Sequence, residues 1–297
     1  MKVIFLLLIL ICGNVKLIAS RYTEYVDPQI IKNNNDSDLY DNNYLGATLP
    51  LGKICVYLKP QNKDVKEFDI NMANDSCFYG FCHTKIDNSE SNHLLDVCLK
   101  PTTEEKETAI HYKTLDWKPG YSKVMIGDSI VAETTATLRT GIHNYTYPQG
   151  NNKKLWISFL QDMVGPLNNK KEIIKSQIRE KDKTSVEGYQ IIKNNHSIDK
   201  IYFSIEFSEP IKSFSLIDNN GRLIEVYGRN VLNRINPQAL LSFDSDTNSL
   251  LIKVGLSDIS IENARENLEK ESSSQEFGNY VAQADSIWEQ NLGKIEV

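Results

Sequence analysis

A two-residue alternation of apolar and polar side chains recurs in many short runs of this sequence and constrains its fold most strongly. The alternation is clearest in IYFSIEF (residues 201–207), where every odd-numbered position is apolar. It recurs in KICVYLK, IVAETTATL, KLWISFL and SLLIKVGL, and turn-forming clusters such as Asn219-Asn220-Gly221 separate the runs. Many short strands without helical patterns between them predict an all-β fold, a large antiparallel β-sandwich.

The periodicity becomes helical after Gly255. Ser260 is a suitable N-cap, and Ile261, Ala264 and Leu268 would share one face of a first helix. A second predicted helix carries an apolar stripe, formed by Phe277, Tyr280, Val281, Ala284, Trp288 and Leu292. Two interpretations of the stripe stay open. It lies back on the sandwich, or it packs against a further domain that this chain does not contain.

The first 20 residues predict a secretory signal peptide. Lys2 precedes an apolar run from Val3 to Cys12, and the small residues Ala19 and Ser20 come just before Arg21. The run is shorter than the roughly 20 apolar residues that cross a bilayer. We therefore expect cleavage after Ser20 and a secreted, extracellular product with no membrane partner.

The charge of the chain argues against nucleic acid as a partner. The sequence has 33 basic and 39 acidic residues, a net charge of −6. Removing Lys2 and Lys16 with the signal peptide leaves 31 basic against 39 acidic residues, a net charge of −8. Such a surface repels phosphates and anionic lipids, so neither is an expected ligand.

Four cysteines remain after the predicted cleavage, Cys55, Cys77, Cys82 and Cys98. In an oxidising compartment they allow three disulfide pairings, and the sequence does not choose among them. The run CFYGFCH places Cys77 and Cys82 close to His83, but its spacing matches no compact zinc finger or ribbon. We therefore take Cys77 and Cys82 as disulfide candidates, with buried thiols as the alternative, and predict no metal site.

Four Asn-X-Ser/Thr sequons would accept glycans if the host glycosylates its secreted proteins, at Asn35, Asn74, Asn144 and Asn195. Chance matches are common in an Asn-rich chain. The sequons therefore indicate surface positions more reliably than glycosylation.

Six stretches together resemble the N-terminal domain of glycoside hydrolase family 92, the calcium-dependent exo-acting α-mannosidases. They are YVDP (25–28), LGATLPLGKICVYLKP (45–60), YGFCHT (79–84), KPGYSKVMI (118–126), AETTATLRTGIHNYTYP (132–148) and VGLSDISIENARENLEKE (254–271). They follow the family's order and span nearly the whole mature chain. The resemblance implies a galactose mutarotase-like β-supersandwich over 21–256 and a helical interdomain linker over 257–297. In the family, a larger helical barrel domain follows the linker.

The resemblance also implies where the chemistry lies. An inverting glycosidase needs an acid and a base carboxyl group roughly 6.5 to 9.5 Å apart. In the family these groups and most of the calcium shell belong to the barrel domain, whose positions this sequence lacks. The local carboxylates Glu133, Glu206 and Glu209 fit solvated strand faces or turns. We therefore expect no catalytic residue in this chain and no cofactor bound by it alone, with calcium needed only by the full-length family enzyme.

The candidates for glycan contact are His83, Thr84, Lys85 and Trp117. YGFCHT ends in an imidazole and a hydroxyl, both of which can hydrogen-bond to sugar hydroxyls, and Trp117 lies in a loop-like setting where it could stack on a sugar ring. For His83 the alternative is a structural role at a strand end. The sequence departs from the family after Thr84, and again at IIKNNNDSD (30–38), where the family has Gly-rich turns. Both departures fall where ligand contact is expected.

Two functions compete for this chain. The first is the N-terminal non-catalytic module of a secreted α-mannosidase that trims mannose from N-glycans, with a helical catalytic domain as its partner. The second is a free-standing secreted β-sandwich that binds carbohydrate or protein. The apolar stripe discriminates between them, because a module without its partner should expose Phe277 and Trp288, whereas a free-standing protein should cover or polarise them.

Overall fold

The computed structural model describes residues 21–26, 46–60, 78–84, 95–106, 110–127, 129–150, 153–159, 172–193, 197–217, 222–226, 237–244 and 247–294. The predicted signal peptide, Cys77, Lys85 and the sequons at Asn35, Asn74 and Asn195 lie outside these ranges.

In the described part of the chain, a short 3₁₀ helix (Tyr22–Tyr25) precedes the strands, and two α-helices follow them. The strands are β1 (Gly46–Thr48), β2 (Ile54–Pro60), β3 (Phe78–Thr84), β4 (Val97–Thr102), β5 (Tyr112–Lys118), β6 (Tyr121–Ile126), β7 (Ile130–Ala136), β8 (Thr140–Thr146), β9 (Lys153–Phe159), β10 (Glu172–Asp182), β11 (Ser185–Lys193), β12 (Ile198–Phe207), β13 (Ile211–Ile217), β14 (Leu223–Glu225), β15 (Gln238–Phe243) and β16 (Ser249–Ser257). The helices are α1 (Ile261–Glu271) and α2 (Phe277–Leu292).

The strands described here form two eight-stranded antiparallel sheets. The first sheet has the order β1-β2-β3-β4-β9-β15-β13-β14, and the second has the order β10-β11-β12-β16-β8-β7-β6-β5. All five alternating runs of the sequence are strands, namely β2, β7, β9, β12 and β16. The predicted all-β antiparallel sandwich followed by a helical segment is thus confirmed.

The hydrophobic core lies between the two sheets, because the alternation gives each strand one apolar face. In β12, Phe203 and Ile205 are fully buried, and Ile205 pairs with the fully buried Val254 of β16. Leu155 and Ile157 of β9 contribute the same kind of face from the first sheet. Each such side chain stabilises the fold by roughly 1.5 to 3 kcal/mol relative to its exposed state.

The outer face of the second sheet carries both helices. Ser260 caps α1 as predicted, since its hydroxyl oxygen accepts a hydrogen bond from the backbone N–H of Asn263 at 3.1 Å. Ala264 and Leu268 are buried against β16. This close approach requires Gly255, because a Cβ there would lie 2.4 Å from the Ala264 carbonyl oxygen.

The apolar stripe of α2 packs onto the sandwich of its own chain. Tyr280 is 4% exposed and shares a cluster with Ile142 of β8 and Leu251 of β16. Trp288 is half-buried, and its Nε1–H donates to the Thr48 carbonyl oxygen at 2.8 Å. The first interpretation of the stripe is the observed one. Neither helix in the described ranges has the length and apolar character needed to cross a bilayer.

One disulfide joins adjacent strands of the first sheet. Cys82 of β3 is bonded to Cys98 of β4, with their Cα atoms 4.6 Å apart. Cys82, one of the two candidates, is thus in a disulfide, whereas the sequence did not single out its partner Cys98, and the other candidate, Cys77, lies outside the described residues. Cys55 and Tyr57 of β2 are buried beside this disulfide. The sequence could not identify Cys98 as the partner, because the pairing depends on which strands become neighbours.

Candidate functional site

A buried carboxylate organises the end of β3. Asp96 lies just before β4 and is fully buried. Its Oδ2 accepts hydrogen bonds from the backbone N–H of His83 at 2.7 Å, from the backbone N–H of Thr84 at 2.8 Å and from the Thr84 hydroxyl at 3.0 Å. Asp96 therefore holds together the two chain segments that enter and leave the β3–β4 connection.

A chain of hydrogen bonds runs from this end of β3 across the core to β8. The His83 ring places Nδ1 2.8 Å from the Val97 carbonyl oxygen and Nε2 2.8 Å from Nε2 of His143. On the far side, Nδ1 of His143 lies 2.9 Å from the hydroxyl of Tyr145. These hydrogen bonds therefore connect the first sheet to the second.

The hydrogen-bond partners determine which atom is the donor and which the acceptor in each of these hydrogen bonds. A carbonyl oxygen only accepts, so His83 carries its hydrogen on Nδ1 and donates to Val97. With both rings neutral, Nε2 of His83 accepts from Nε2–H of His143. Nδ1 of His143 then accepts from the Tyr145 hydroxyl. Both imidazoles are thus fully satisfied as neutral groups.

Asp96, His83, His143 and Tyr145 form one buried polar cluster. The pKa values of its ionisable groups agree with neutral histidine rings. Burial lowers the pKa of His83 to about 4, although the hydrogen bond to Val97 acts in the opposite direction. Burial and the neighbouring His83 hold the pKa of His143 well below its usual range. Burial raises the pKa of Asp96 to about 7 against the hydrogen bonds from Thr84 and His83, and Asp96 Oδ1 has no hydrogen-bond partner within the described ranges.

Glycine makes room for the histidine pair. A Cβ on Gly141 of β8 would lie 2.7 Å from Cδ2 of His83 and 3.0 Å from Cγ2 of Val56. The rings of Phe81 and Tyr145 stack beside the pair at 5.7 Å between centroids. These residues therefore pack closely around the histidine pair.

The glycan-contact candidates occupy different environments. The His83 ring is fully buried and both of its nitrogens have protein partners, so in this structure it has the structural role that the sequence left as the alternative. Thr84 is half-buried, and its hydroxyl donates to Asp96. Lys85 lies outside the described residues. The contact of Thr84 and Lys85 with a glycan stays a prediction.

Trp117 lies on a strand rather than in the expected loop. It belongs to β5, the outermost strand of the second sheet, whereas His83 and Thr84 belong to the first sheet. Its side chain is half-buried, and its Nε1 is buried without a hydrogen-bond partner among the residues described. Sequence reasoning missed this strand because β5 lacks the clear alternation of the inner strands.

The acidic residues considered for catalysis have structural partners. Glu133 accepts a hydrogen bond from the Tyr121 hydroxyl at 2.6 Å, and Glu206 forms an ion pair with Lys253 at 3.5 Å. Glu209 lies in the turn between β12 and β13, one of the two settings expected for these acids, and there it is buried and forms an ion pair with Lys153. Within the described ranges, no three His, Cys, Asp or Glu side chains gather closely enough to hold a metal ion.

Asp96 and His143 are the members of the cluster that sequence reasoning did not assign. His143 is fully buried, and nothing in the sequence around it indicates its hydrogen bonds to His83 and Tyr145. For Asp96 a signal exists. In HLLDVCL an isolated carboxylate stands inside an apolar run, a position where a buried and hydrogen-bonded acid is the usual explanation.

The sequence pattern of the glycosyl hydrolase family 92 N-terminal domain matches residues 25–257. The chain belongs to glycosyl hydrolase family 92. The resemblance that the six sequence stretches indicated is thereby confirmed.

Solved structures show the same fold for this family 92 chain. A family 92 α-mannosidase of Bacteroides thetaiotaomicron, in complex with mannoimidazole, superposes with a TM-score of 0.75 at 21% identity, over 93% of this chain and 37% of its own. A family 92 inverting mannosidase of the same bacterium superposes with a TM-score of 0.71 at 19% identity, over 93% of this chain and 37% of its own. The chain thus spans less than two fifths of the length of these relatives. It matches no curated protein.

Proposed function

We propose that this chain is the N-terminal, non-catalytic module of a secreted α-mannosidase that trims mannose from N-glycans. The module would help to shape the glycan site and would be inactive alone. The observation that carries the proposal is the family match over 25–257, which is a match to the N-terminal domain of the family. The coverage of only 37% of the relatives' length supports a division of labour with a longer partner segment.

The described carboxylates support an inactive module. Glycoside hydrolysis needs two carboxyl groups that face each other across a sugar ring. Asp96 has the raised pKa that suits a general acid, about 7, but it is fully buried and three hydrogen bonds fix its Oδ2. Because a catalytic acid must first reach the leaving oxygen, the raised pKa of Asp96 does not make it one.

Secretion and calcium belong to the same proposal. The Cys82–Cys98 disulfide is typical of an oxidising compartment and supports export by the predicted signal peptide. Calcium would be held by the helical catalytic domain of the full-length enzyme, and the described residues are assigned no part in holding it.

One observation favours a second candidate function. The stripe of α2 packs on the sandwich, with Tyr280 and Ala284 buried and Trp288 hydrogen-bonded to Thr48. A protein adapted to act alone would cover its apolar surface in this way. The alternative is therefore a free-standing secreted β-sandwich that binds carbohydrate or protein.

The experiment that separates these functions reads the transcript beyond the codon for Val297 and measures the intact mass of the secreted protein. Residues 21–297 and any longer natural product are then assayed with an aryl α-mannoside and calcium. We expect the message to continue into a helical domain and only the longer product to hydrolyse the substrate. Hydrolysis by residues 21–297 alone would refute the non-catalytic role. A message that stops at Val297, together with mannose-oligosaccharide binding in calorimetry, would support the free-standing alternative.

A further inference from the structure

The start of the described chain is attached to the last two turns of α2. The guanidinium of Arg21 forms an ion pair with Asp285 and lies 3.9 Å from Oε1 of Glu289. Glu289 also accepts hydrogen bonds from the backbone N–H of Tyr22 at 3.0 Å and of Thr23 at 2.8 Å, one on each carboxylate oxygen. Two carboxylates of α2 therefore bind three successive residues of the N-terminal segment.

Taken alone, α2 has an unfavourable charge pattern at this end. Asp285 and Glu289 are like charges four residues apart on one helix face, and such pairs repel. They also lie toward the helix C-terminus, where the macrodipole favours cations, and the last turn has no basic residue. The compensating positive charge comes from Arg21, which is more than 260 residues away in sequence.

The ionisation of Glu289 reflects this attachment. Burial acts to raise the pKa of Glu289, but the hydrogen bonds from Thr23 and Tyr22 and the charge of Arg21 outweigh it, so the pKa lies below its usual range. Among the described residues, Arg21 lies 3.9 Å from this carboxylate, and Asp285 stands four residues before it on the same helix face.

The backbone nitrogen of Arg21 lies close to the same carboxylates. Tyr22 N is 3.0 Å from Glu289 Oε2, and consecutive residues of a trans chain are about 3.8 Å apart, so Arg21 N lies within about 7 Å of that oxygen. This is shorter than the Debye length of about 8 Å at physiological ionic strength. An ammonium group at Arg21 N would therefore add an attraction that an amide nitrogen lacks.

We propose that residues 21–23 form a clasp for α2 that is completed when the signal peptide is removed after Ser20. Cleavage hydrolyses the Ser20–Arg21 peptide bond with one water molecule, leaving a carboxylate on Ser20 and an ammonium group on Arg21. The new ammonium group adds a second positive charge beside Asp285 and Glu289. The clasp then fixes the C-terminal end of α2, and hence the direction in which the chain leaves the sandwich. The proposal rests on the predicted cleavage site.

The test compares amide hydrogen exchange of α2 in two proteins with different N-termini. One is the chain 21–297, whose ammonium group is on Arg21, and the other is the chain 19–297, whose ammonium group is two residues farther away. We expect peptides from 277–292 to exchange about two- to fivefold faster in 19–297, the range that an exposed ion pair supports. Equal exchange rates in the two proteins would overturn the role of the ammonium group.

A thermodynamic cycle tests whether the carboxylates of Asp285 and Glu289 are the partners of the ammonium group. In the D285N/E289Q double variant, both N-termini should give the same α2 exchange rate, since the charges that respond to the ammonium group are gone. A persistent difference in that background would overturn the assignment to Asp285 and Glu289. E289Q alone should also accelerate exchange in 21–297, whereas E269Q, which removes an exposed charge of α1, should leave α2 unchanged.

The cleavage site has its own readout. N-terminal sequencing of the protein secreted from the full-length precursor should begin at Arg21. A different first residue would overturn the processing step, and the E289Q and E269Q comparison would still decide whether the clasp holds α2.

Discussion

Replacing Asp96 by Asn should change how the stability of the protein depends on pH. Burial raises the pKa of Asp96 from 3.8 to about 7 in the folded protein. When the pKa of a carboxyl group is higher in the folded than in the unfolded state, the protonated group stabilises the fold fully below pH 3.8. The free energy of unfolding then falls as the pH rises from 3.8 to about 7. Between pH 5 and pH 7 the loss amounts to about 2 kcal/mol, at ~1.4 kcal/mol per pH unit, reduced as the folded carboxyl itself begins to ionise.

The Asp96→Asn protein has no such loss, because an amide does not titrate. Its oxygen can accept the hydrogen bonds from His83 and Thr84 that Oδ2 now accepts. The free energy of unfolding of Asp96→Asn minus that of the wild type should therefore grow by about 2 kcal/mol from pH 5 to pH 7. The lowered pKa values of His83 and His143 act in the opposite direction, destabilising the fold as the pH falls below 6.5. Their contributions are common to both proteins and cancel in the difference.

Urea unfolding followed by tryptophan fluorescence at pH 5, 6 and 7 measures this difference. Asp116→Asn on β5 is the matched control, because the Asp116 side chain is exposed and stays in water in both states. The difference in unfolding free energy between Asp116→Asn and the wild type should not change with pH. If the Asp96→Asn difference is also flat or shrinks toward pH 7, Asp96 is ionised in the fold, and its three hydrogen bonds outweigh burial.

Three further changes test the packing of the helices and the first sheet. Gly255→Ala should cost about 1 to 3 kcal/mol of stability in urea unfolding, because the new Cβ would lie 2.4 Å from a backbone oxygen of α1. Trp288→Phe should lower the free energy of unfolding by about 1 kcal/mol, since it removes the hydrogen bond that joins α2 to β1. Circular dichroism during unfolding measures this change. Replacing Cys82 and Cys98 together by Ala should cost about 3 kcal/mol, because the disulfide closes a loop of 16 residues.

Each of these changes has a discriminating comparison. Gly278→Ala, in the first turn of α2 where a new Cβ meets nothing within 4 Å, should raise stability by about 0.5 to 1 kcal/mol, opposite in sign to Gly255→Ala. A neutral Gly255→Ala would mean that α1 can move away at no cost. For Trp288→Phe, an unchanged unfolding midpoint would show that the hydrogen bond is replaced by water. For the disulfide, a reducing agent should lower the wild-type midpoint and leave that of the double variant unchanged.

Local patterns of the sequence determined much of this fold. The runs that became β2, β7, β9, β12 and β16 are recognisable because a strand alternates its faces within a few residues. The N-cap at Ser260 and the apolar face of α1 are local for the same reason. The resemblance to family 92 also depended on contiguous stretches, so the fold could be expected before any distance was known.

Only the tertiary structure decided which distant groups meet. The bond between His83 and His143 spans 60 residues and joins two sheets, and neither neighbouring sequence indicates the other. The same holds for the Cys82–Cys98 pair and for Arg21 against Asp285. The stripe of α2 showed from its period that it would be buried, but not against which surface. Periodicity reports how a segment divides its faces, whereas partners are chosen by the packing of the whole chain.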